Sequence, residues 1–268
     1  MKNIIFSATA VCLLFLMSCG KDSVKIDPVE KLGLQKIGEQ IQGETRVIVW
    51  GDQTIETGYE KLFLQIIDKS NSTVSGGQVA LVPMMEMNLN GETMSHSAPT
   101  DPINLGSDEL FEGGVVFTMP SDGEHGKWIL SIKYTSVNKQ VLNFDIPVQV
   151  KANTEIKVKT LTLGNGERYV LSFHLSEKPK IGVNEANFTL HKRVSMMNFF
   201  AVSNASIKVD PRMPDMDNHG SPNNVNPSYT KNGHYAGKLN FTMSGFWTVN
   251  LELVIGEEEI VTSFDQTF

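Results

Sequence analysis

The chain has 268 residues, a formal net charge of −7 and 40% apolar residues. That charge argues against nucleic acid or an anionic membrane surface as partner. Ordinary apolar content predicts a real core, and two cysteines leave little scope for a disulfide framework.

At the amino end Lys2 precedes an apolar run from Ile4 to Met17, which closes in Leu16-Met17-Ser18-Cys19. A short positive region, an apolar stretch too short to span a bilayer comfortably and a small-residue site together mark a secretory signal. The pattern resembles the lipobox of bacterial lipoproteins, in which the cysteine is lipidated and becomes the mature N-terminus. The resemblance implies a signal peptide over 1–18, lipidation at Cys19 and a lipid anchor in a membrane of the bacterial cell envelope. By resemblance to such lipoproteins, Gly20, Lys21 and Asp22 imply routing to the outer membrane, with the folded part facing the periplasm or the cell surface. Cys12 falls inside the signal, so the mature chain keeps no thiol for a disulfide, a thiolate metal site or catalysis. Residues 19–43 are mostly polar and read as a tether, with a short helical piece around Val29–Ile41. No later segment is apolar for long enough to cross a membrane as a helix.

Past the tether the chain repeats itself. Phe111 aligns with Tyr235, Gly113 with Gly237, and Phe117-Thr118-Met119 with Phe241-Thr242-Met243. Gly126-Lys127-Trp128 then meets Gly245-Phe246-Trp247, the first copy carrying five extra residues between its methionine and its tryptophan. Upstream, Gly58 matches Gly182; downstream, Phe144 lies 16 residues past Trp128 and Phe264 lies 17 past Trp247. An ordered series of matches points to two homologous domains.

Each copy reads as all-β. Trp128, Leu130, Ile132 and Tyr134 alternate with polar or less apolar neighbours, as do Trp247, Val249, Leu251 and Leu253. Period two means one buried face and one wet face. Gly256-Glu257-Glu258 predicts a turn before a last strand from Ile260 to Phe264. The fold class is therefore two tandem immunoglobulin-like β-sandwiches, over 44–163 and 164–268. The best boundary signal is the turn cluster Leu163-Gly164-Asn165-Gly166. Each central tryptophan is expected in the core.

The segments after the strand that precedes each repeated hairpin carry what chemistry there is. The second copy has Met213-Pro214-Asp215-Met216 followed by His219; the first has Met84-Met85-Glu86-Met87 followed by His96. Thioethers are soft and uncharged, and with imidazole they make a site that favours Cu(I) over Zn(II) or Mg(II). The candidate metal ligands are Met213, Met216 and His219, and less firmly Met84, Met87 and His96. The other reading leaves these methionines as flexible gap-fillers over the open end of each sandwich. Spacing alone leaves both readings open.

Met213-Pro214-Asp215-Met216, His219, Gly233-His234-Tyr235-Ala236-Gly237 and Met243-Ser244-Gly245-Phe246-Trp247 together resemble the YtkA-like family, related to FixH. The resemblance covers most of residues 183–255. Residues 60–134 depart from the pattern, with a stretched methionine-to-tryptophan link and a more distant histidine. It implies an extracytoplasmic β-sandwich that accompanies copper handling or assembly of cytochrome oxidase, with a protein of such a system as partner.

Asp210, Asp215, Asp217 and Asn218 lack the spacing of an EF-hand calcium loop. No nucleophile elbow or phosphate-binding glycine loop appears, so the protein is expected to be no enzyme. His174, His191 and His234 read as isolated surface or strand histidines. Two functional expectations stand: copper binding or delivery through the Met/His loops, and a metal-free envelope adaptor that docks a protein or glycan.

Overall fold

The computed structural model describes residues 28–51, 54–89, 91–123 and 126–268. The signal peptide, Cys19 and the start of the tether lie outside the described residues. From Pro28 onward the segment expected as tether is folded. Proline suits the first turn of a helix, and α1 (Pro28–Leu32) begins on it. Val29 is buried beside Phe63 and Leu110, and Gly33 ends the turn with a φ of +66°. Then comes a strand, β1 (Gln35–Gln42), where the sequence suggested a helix.

The first sandwich continues through β2 (Thr45–Gly51), β3 (Gly58–Ile67), β4 (Gln78–Leu89) and β5 (Glu92–Ser97). It closes with β6 (Asn104–Leu105), β7 (Phe111–Phe117), β8 (Gly126–Thr135) and β9 (Val141–Val148). One sheet has the order β1-β2-β3-β7-β6 and the other β5-β4-β8-β9. The second sandwich begins with β10 (Val158–Thr162), β11 (Arg168–Leu175), β12 (Gly182–Arg193), β13 (Phe199–Ala201) and β14 (Ala205–Met213). It ends with β15 (His219–Gly220), β16 (Val225–Tyr229), β17 (His234–Phe241), β18 (Phe246–Ile255) and β19 (Glu258–Thr267). Its sheets have the orders β10-β11-β12-β17-β16 and β15-β14-β18-β19, with β13 added beside β12. All these pairings are antiparallel, and strand for strand the two sandwiches share one topology.

Register agrees as well as order. Gly58 pairs with Phe117, and Gly182 pairs with Phe241. Along β8 and β18 every second residue is buried, as the alternation predicts. Trp128 and Trp247 are both fully buried, one in each of two separate cores. One aligned pair slips: Phe144 faces Ile132 across the sheet, whereas Phe264 faces Val249, two residues closer to its tryptophan. Both phenylalanines still point inward.

The junction also moves. The cluster Leu163–Gly166 turns the β10–β11 hairpin inside the second sandwich, because Val158–Thr162 pairs with β11. The first sandwich thus starts at β1 instead of residue 44, and the link between the two is 149–157 instead of 163/164. A Leu-Gly-Asn-Gly turn is as apt within a hairpin as between domains, which is why turn chemistry alone misplaced it. The link is tied down at both ends: Thr57 N–H donates to the Lys151 carbonyl at 2.9 Å, and Phe173 N–H to the Lys157 carbonyl at 2.9 Å.

Candidate functional site

In the first sandwich β4 and β5 form a ribbon that projects beyond the core. Met85 pairs with His96 and Met87 with Met94. Directly paired residues of an antiparallel ribbon share a face, and residues two apart along a strand share it too. Met85, Met87, Met94 and His96 therefore stand on one face. Met84 stands on the other, opposite Ser97 and Ile129. The expected Met84/Met87 pair is thus split: a spacing of three puts two strand residues on opposite sides. The inward face places Met85 in the core and Met87 against it, while Met94 remains exposed.

His96 is held firmly. Its ring meets Trp128 edge-on, with centroids 5.6 Å apart at 89°. Its Nδ1–H donates to the Ser97 carbonyl at 2.9 Å, and its Nε2 lies 3.3 Å from the thioether sulfur of Met119. A carbonyl can only accept, so Nδ1 carries a proton, and in the neutral tautomer this selects, Nε2 presents its lone pair. That lone pair faces another lone-pair donor, the sulfur. Met119 is itself fixed, because its carbonyl accepts a 2.9 Å bond from the Trp128 indole N–H.

The second tip follows the same register with less chain. Arg212 pairs with Thr248, which brings Met213 level with Trp247, and Met213 pairs with His219. Met213 sinks into the core at 4% exposure. After it the chain makes a single 3-10 turn (Pro214–Met216), and Asp217 and Asn218 at φ +51° and +60° reverse its direction. Asp and Asn tolerate that left-handed conformation better than most residues. Met216 is left 53% exposed at the crest. His219 is exposed, its Nε2 3.5 Å from the Thr242 hydroxyl. Met243 takes the place of Met119, its carbonyl accepting the Trp247 indole N–H at 3.0 Å.

Of the residues singled out from sequence, Met87 and His96 thus share a face, Met84 lies on the other, and Met213, Met216 and His219 lie together at the second tip; Met85, Met119 and Met243, which sit among them, were not singled out. The signal for the last two was present in the repeated Phe-Thr-Met, which served only to align the copies. Among the described residues no three His, Cys, Asp or Glu side chains gather as a metal cage. Thioethers are the soft donors that gather in the first tip.

The sequence also missed a polar cluster where the sandwiches meet. Asp101 of the first sandwich accepts a 2.8 Å bond from His234 Nε2 and a 2.9 Å bond from the Tyr59 hydroxyl. Tyr59 stacks on His174, with centroids 4.8 Å apart at 11°. Burial, then Asp101, pushes the Tyr59 phenol far up. His191 is buried and His174 half-buried, and both are held down to about 4, chiefly by desolvation. Their Nδ1 atoms have no hydrogen-bond partner.

Among solved structures 40 chains match. The Escherichia coli adhesin FdeC is 12% identical, with a TM-score of 0.27, the match covering 83% of this chain and 64% of that one. Invasin, a bacterial integrin-binding protein, is 11% identical at a TM-score of 0.25, covering 82% and 38%. Domains 4 and 5 of the S-layer protein SbsC are 14% identical at 0.20, covering 86% and 96%. This chain spans less than two thirds of the first two. No curated protein sequence matches. The second sandwich, over residues 167–252, matches the family model described as YtkA-like.

Proposed function

We propose that the protein is an envelope copper-binding protein, anchored through a lipid on Cys19 and holding Cu(I) with thioether and imidazole at its sandwich tips. One observation carries the reading: His96 Nε2 and Met119 Sδ face each other at 3.3 Å. Two lone pairs at that separation gain nothing from each other and gain much from a soft cation between them. The bond from Nδ1 to the Ser97 carbonyl is the outer-shell contact that commonly fixes the tautomer and orientation of a ligating histidine. His96 and Met119 are thus the first ligands, with Met85 and Met87 on the same face as further thioethers and Met94 at the rim. Met84 faces away and is left out.

The second sandwich offers His219 and Met216 at the surface, with Met213 and Met243 beneath. This is the weaker site, because Met213 is packed as a core residue. The shared topology and register support descent of both sandwiches from one YtkA-like module. The bound metal, on this reading, is delivered to or received from another copper-handling or oxidase-assembly protein of the envelope, and the chain itself catalyses nothing.

The burial of Met213 favours the alternative, a metal-free adaptor that docks a protein or glycan. Titration separates the two. The chain from Gly20 to Phe268 is loaded with Cu(I) in competition with a chromogenic chelator. Retention of at least one copper per chain is expected. Replacing His96 and Met119 together should remove the tighter site, with apo unfolding little changed. Failure to compete at any stoichiometry would sink the copper reading and leave the adaptor.

A further inference from the structure

Three imidazoles of the second sandwich meet one carboxylate of the first. His174 on β11, His191 on β12 and His234 on β17 lie at the junction with Asp101 and Tyr59. Asp101 already accepts from His234 and Tyr59. Lys157, at the end of the link, adds positive charge near His174. The groups facing His174 are Tyr59, Asp101, His234 and Lys157, the last paired with Glu155 at 2.6 Å, with Glu56, Glu60, Lys61, Glu177 and Lys178 around the same cleft; those facing His191 are Asp101, His234 and the Asn232 backbone. His174 Nδ1 and His191 Nδ1 are buried with nothing to bond.

We infer that this junction is an acid-opened latch: protonating His174 and His191 drives the second sandwich off the first while each sandwich stays folded. A proton on either Nδ1 makes a buried N–H cation with no acceptor, beside one or more further cations. Asp101 is already bonded to His234 and Tyr59, and Glu155 to Lys157, so neither is free to turn to the new N–H groups. Separation gives each of them water.

The fold permits that separation. No residue is shared between the two hydrophobic cores, so neither depends on the other for its packing. Polar contacts cross the junction, among them the Ser97 N–H bond to the Met196 carbonyl at 2.8 Å. The hinge falls at exposed Thr154, between Asn153, whose N–H donates to the Thr57 hydroxyl of the first sandwich at 3.0 Å, and Glu155, which accepts from the Thr267 N–H of the second at 2.5 Å. Burial favours the neutral imidazoles while the latch is closed, so proton uptake and opening are coupled.

The test is small-angle scattering of the chain from Gly20 to Phe268 between pH 7.5 and 4.5, with tryptophan fluorescence and far-ultraviolet dichroism on the same samples. The maximum dimension should lengthen as pH falls, while the buried Trp128 and Trp247 keep their native emission. A variant carrying His174→Phe and His191→Leu should stay compact at pH 4.5. Asp101→Asn should open at a higher pH than the parent. A parent that stays compact throughout, or that lengthens only as its tryptophans become exposed, would overturn the latch. If the double variant fails to fold at pH 7.5, an unchanged opening pH in Asp101→Asn would overturn it instead.

Discussion

In the first sandwich the ribbon partner of the fourth strand is six residues long; in the second it is two. Both ribbons start from the same place, a methionine level with the buried tryptophan and paired with a histidine. The longer ribbon has room for three methionines and the histidine on one face. It also carries that histidine back over the tryptophan, where Met119 meets it. The shorter ribbon reverses through two left-handed residues and leaves its histidine in water. Topology therefore sets where the tip chemistry starts, and ribbon length sets how enclosed it becomes.

Breaking either tryptophan should have the largest effect, and the same one on both sides. Each indole fills a core, and its N–H holds the carbonyl of the tip methionine. Trp128→Ala and Trp247→Ala should each destabilise their own sandwich by about 3–5 kcal/mol. Urea unfolding followed by hydrogen exchange at Leu130 of the first sandwich and Leu251 of the second should show one sandwich lost and the other retained. Coincident loss of both would show that the two cores fold as one unit.

Acid should separate the regions next. The folded pKa of His174 and of His191 lies near 4, below the ordinary value of 6.5. The open or unfolded chain therefore binds protons that the closed form refuses. The contribution to closure is intact above pH 6.5 and is lost as pH falls toward 4. At its full extent the loss is about 3 kcal/mol for each imidazole. Hydrogen exchange of the Ser97 amide, bonded across the junction, should report it. After correction for intrinsic rates, its protection should fall from pH 7 to pH 5 while that of Leu130, inside the first sandwich, holds. Equal protection of Ser97 at both pH values would contradict the assignment.

Much of this was readable from residues alone. Alternation along 128–134 and 247–253 gave two half-buried strands in correct register. The repeated glycines and Phe-Thr-Met placed equivalent strands correctly. The methionine spacing misled because Met-x-x-Met suggests neighbours on a helix or loop, whereas on β4 it divides two faces. The junction histidines were illegible for a different reason. His174, His191 and His234 lie on the sheet face turned away from their own core, where a histidine reads as solvent-exposed. Only the packing of the first sandwich against that face buries them. Contacts between domains leave no periodic trace in either domain.

Copper should sharpen the contrast between tips. Replacing His96 with Ala should lower Cu(I) retention by about tenfold or more, since losing an outer-shell partner alone costs 10–100-fold. His219→Ala should lower it less, because that imidazole is exposed and meets only a hydroxyl. Stepwise competition with a chelator would rank the two sites. A larger loss from His219→Ala would reverse the assignment of the tighter site.

The smallest effect concerns the sheet edges. The outer edge of β9 is capped by side chains from β1: Gln40 accepts from the Asp145 N–H at 2.5 Å and Gln42 from the Asn143 N–H at 3.0 Å. In the second sandwich Glu155, just ahead of β10, accepts from the Thr267 N–H of β19 at 2.5 Å, and farther along Lys159 lies over the Phe264 ring, 5.4 Å from its centroid. A lysine on an aromatic face covers the gap without bonding the backbone of the edge. Removing both glutamine side chains should cost about 0.5–1.5 kcal/mol per bond and leave the first sandwich with a more open edge than the second, where Glu155 still caps Thr267. Edge strands with free N–H groups recruit other strands. Gln40→Ala with Gln42→Ala should therefore raise self-association, read by sedimentation velocity, more than it lowers the unfolding midpoint. Lys159→Ala should leave the first sandwich untouched and weaken only the second. If the glutamine variant stays monomeric and loses no stability, the caps are incidental and the two edges are equivalent after all.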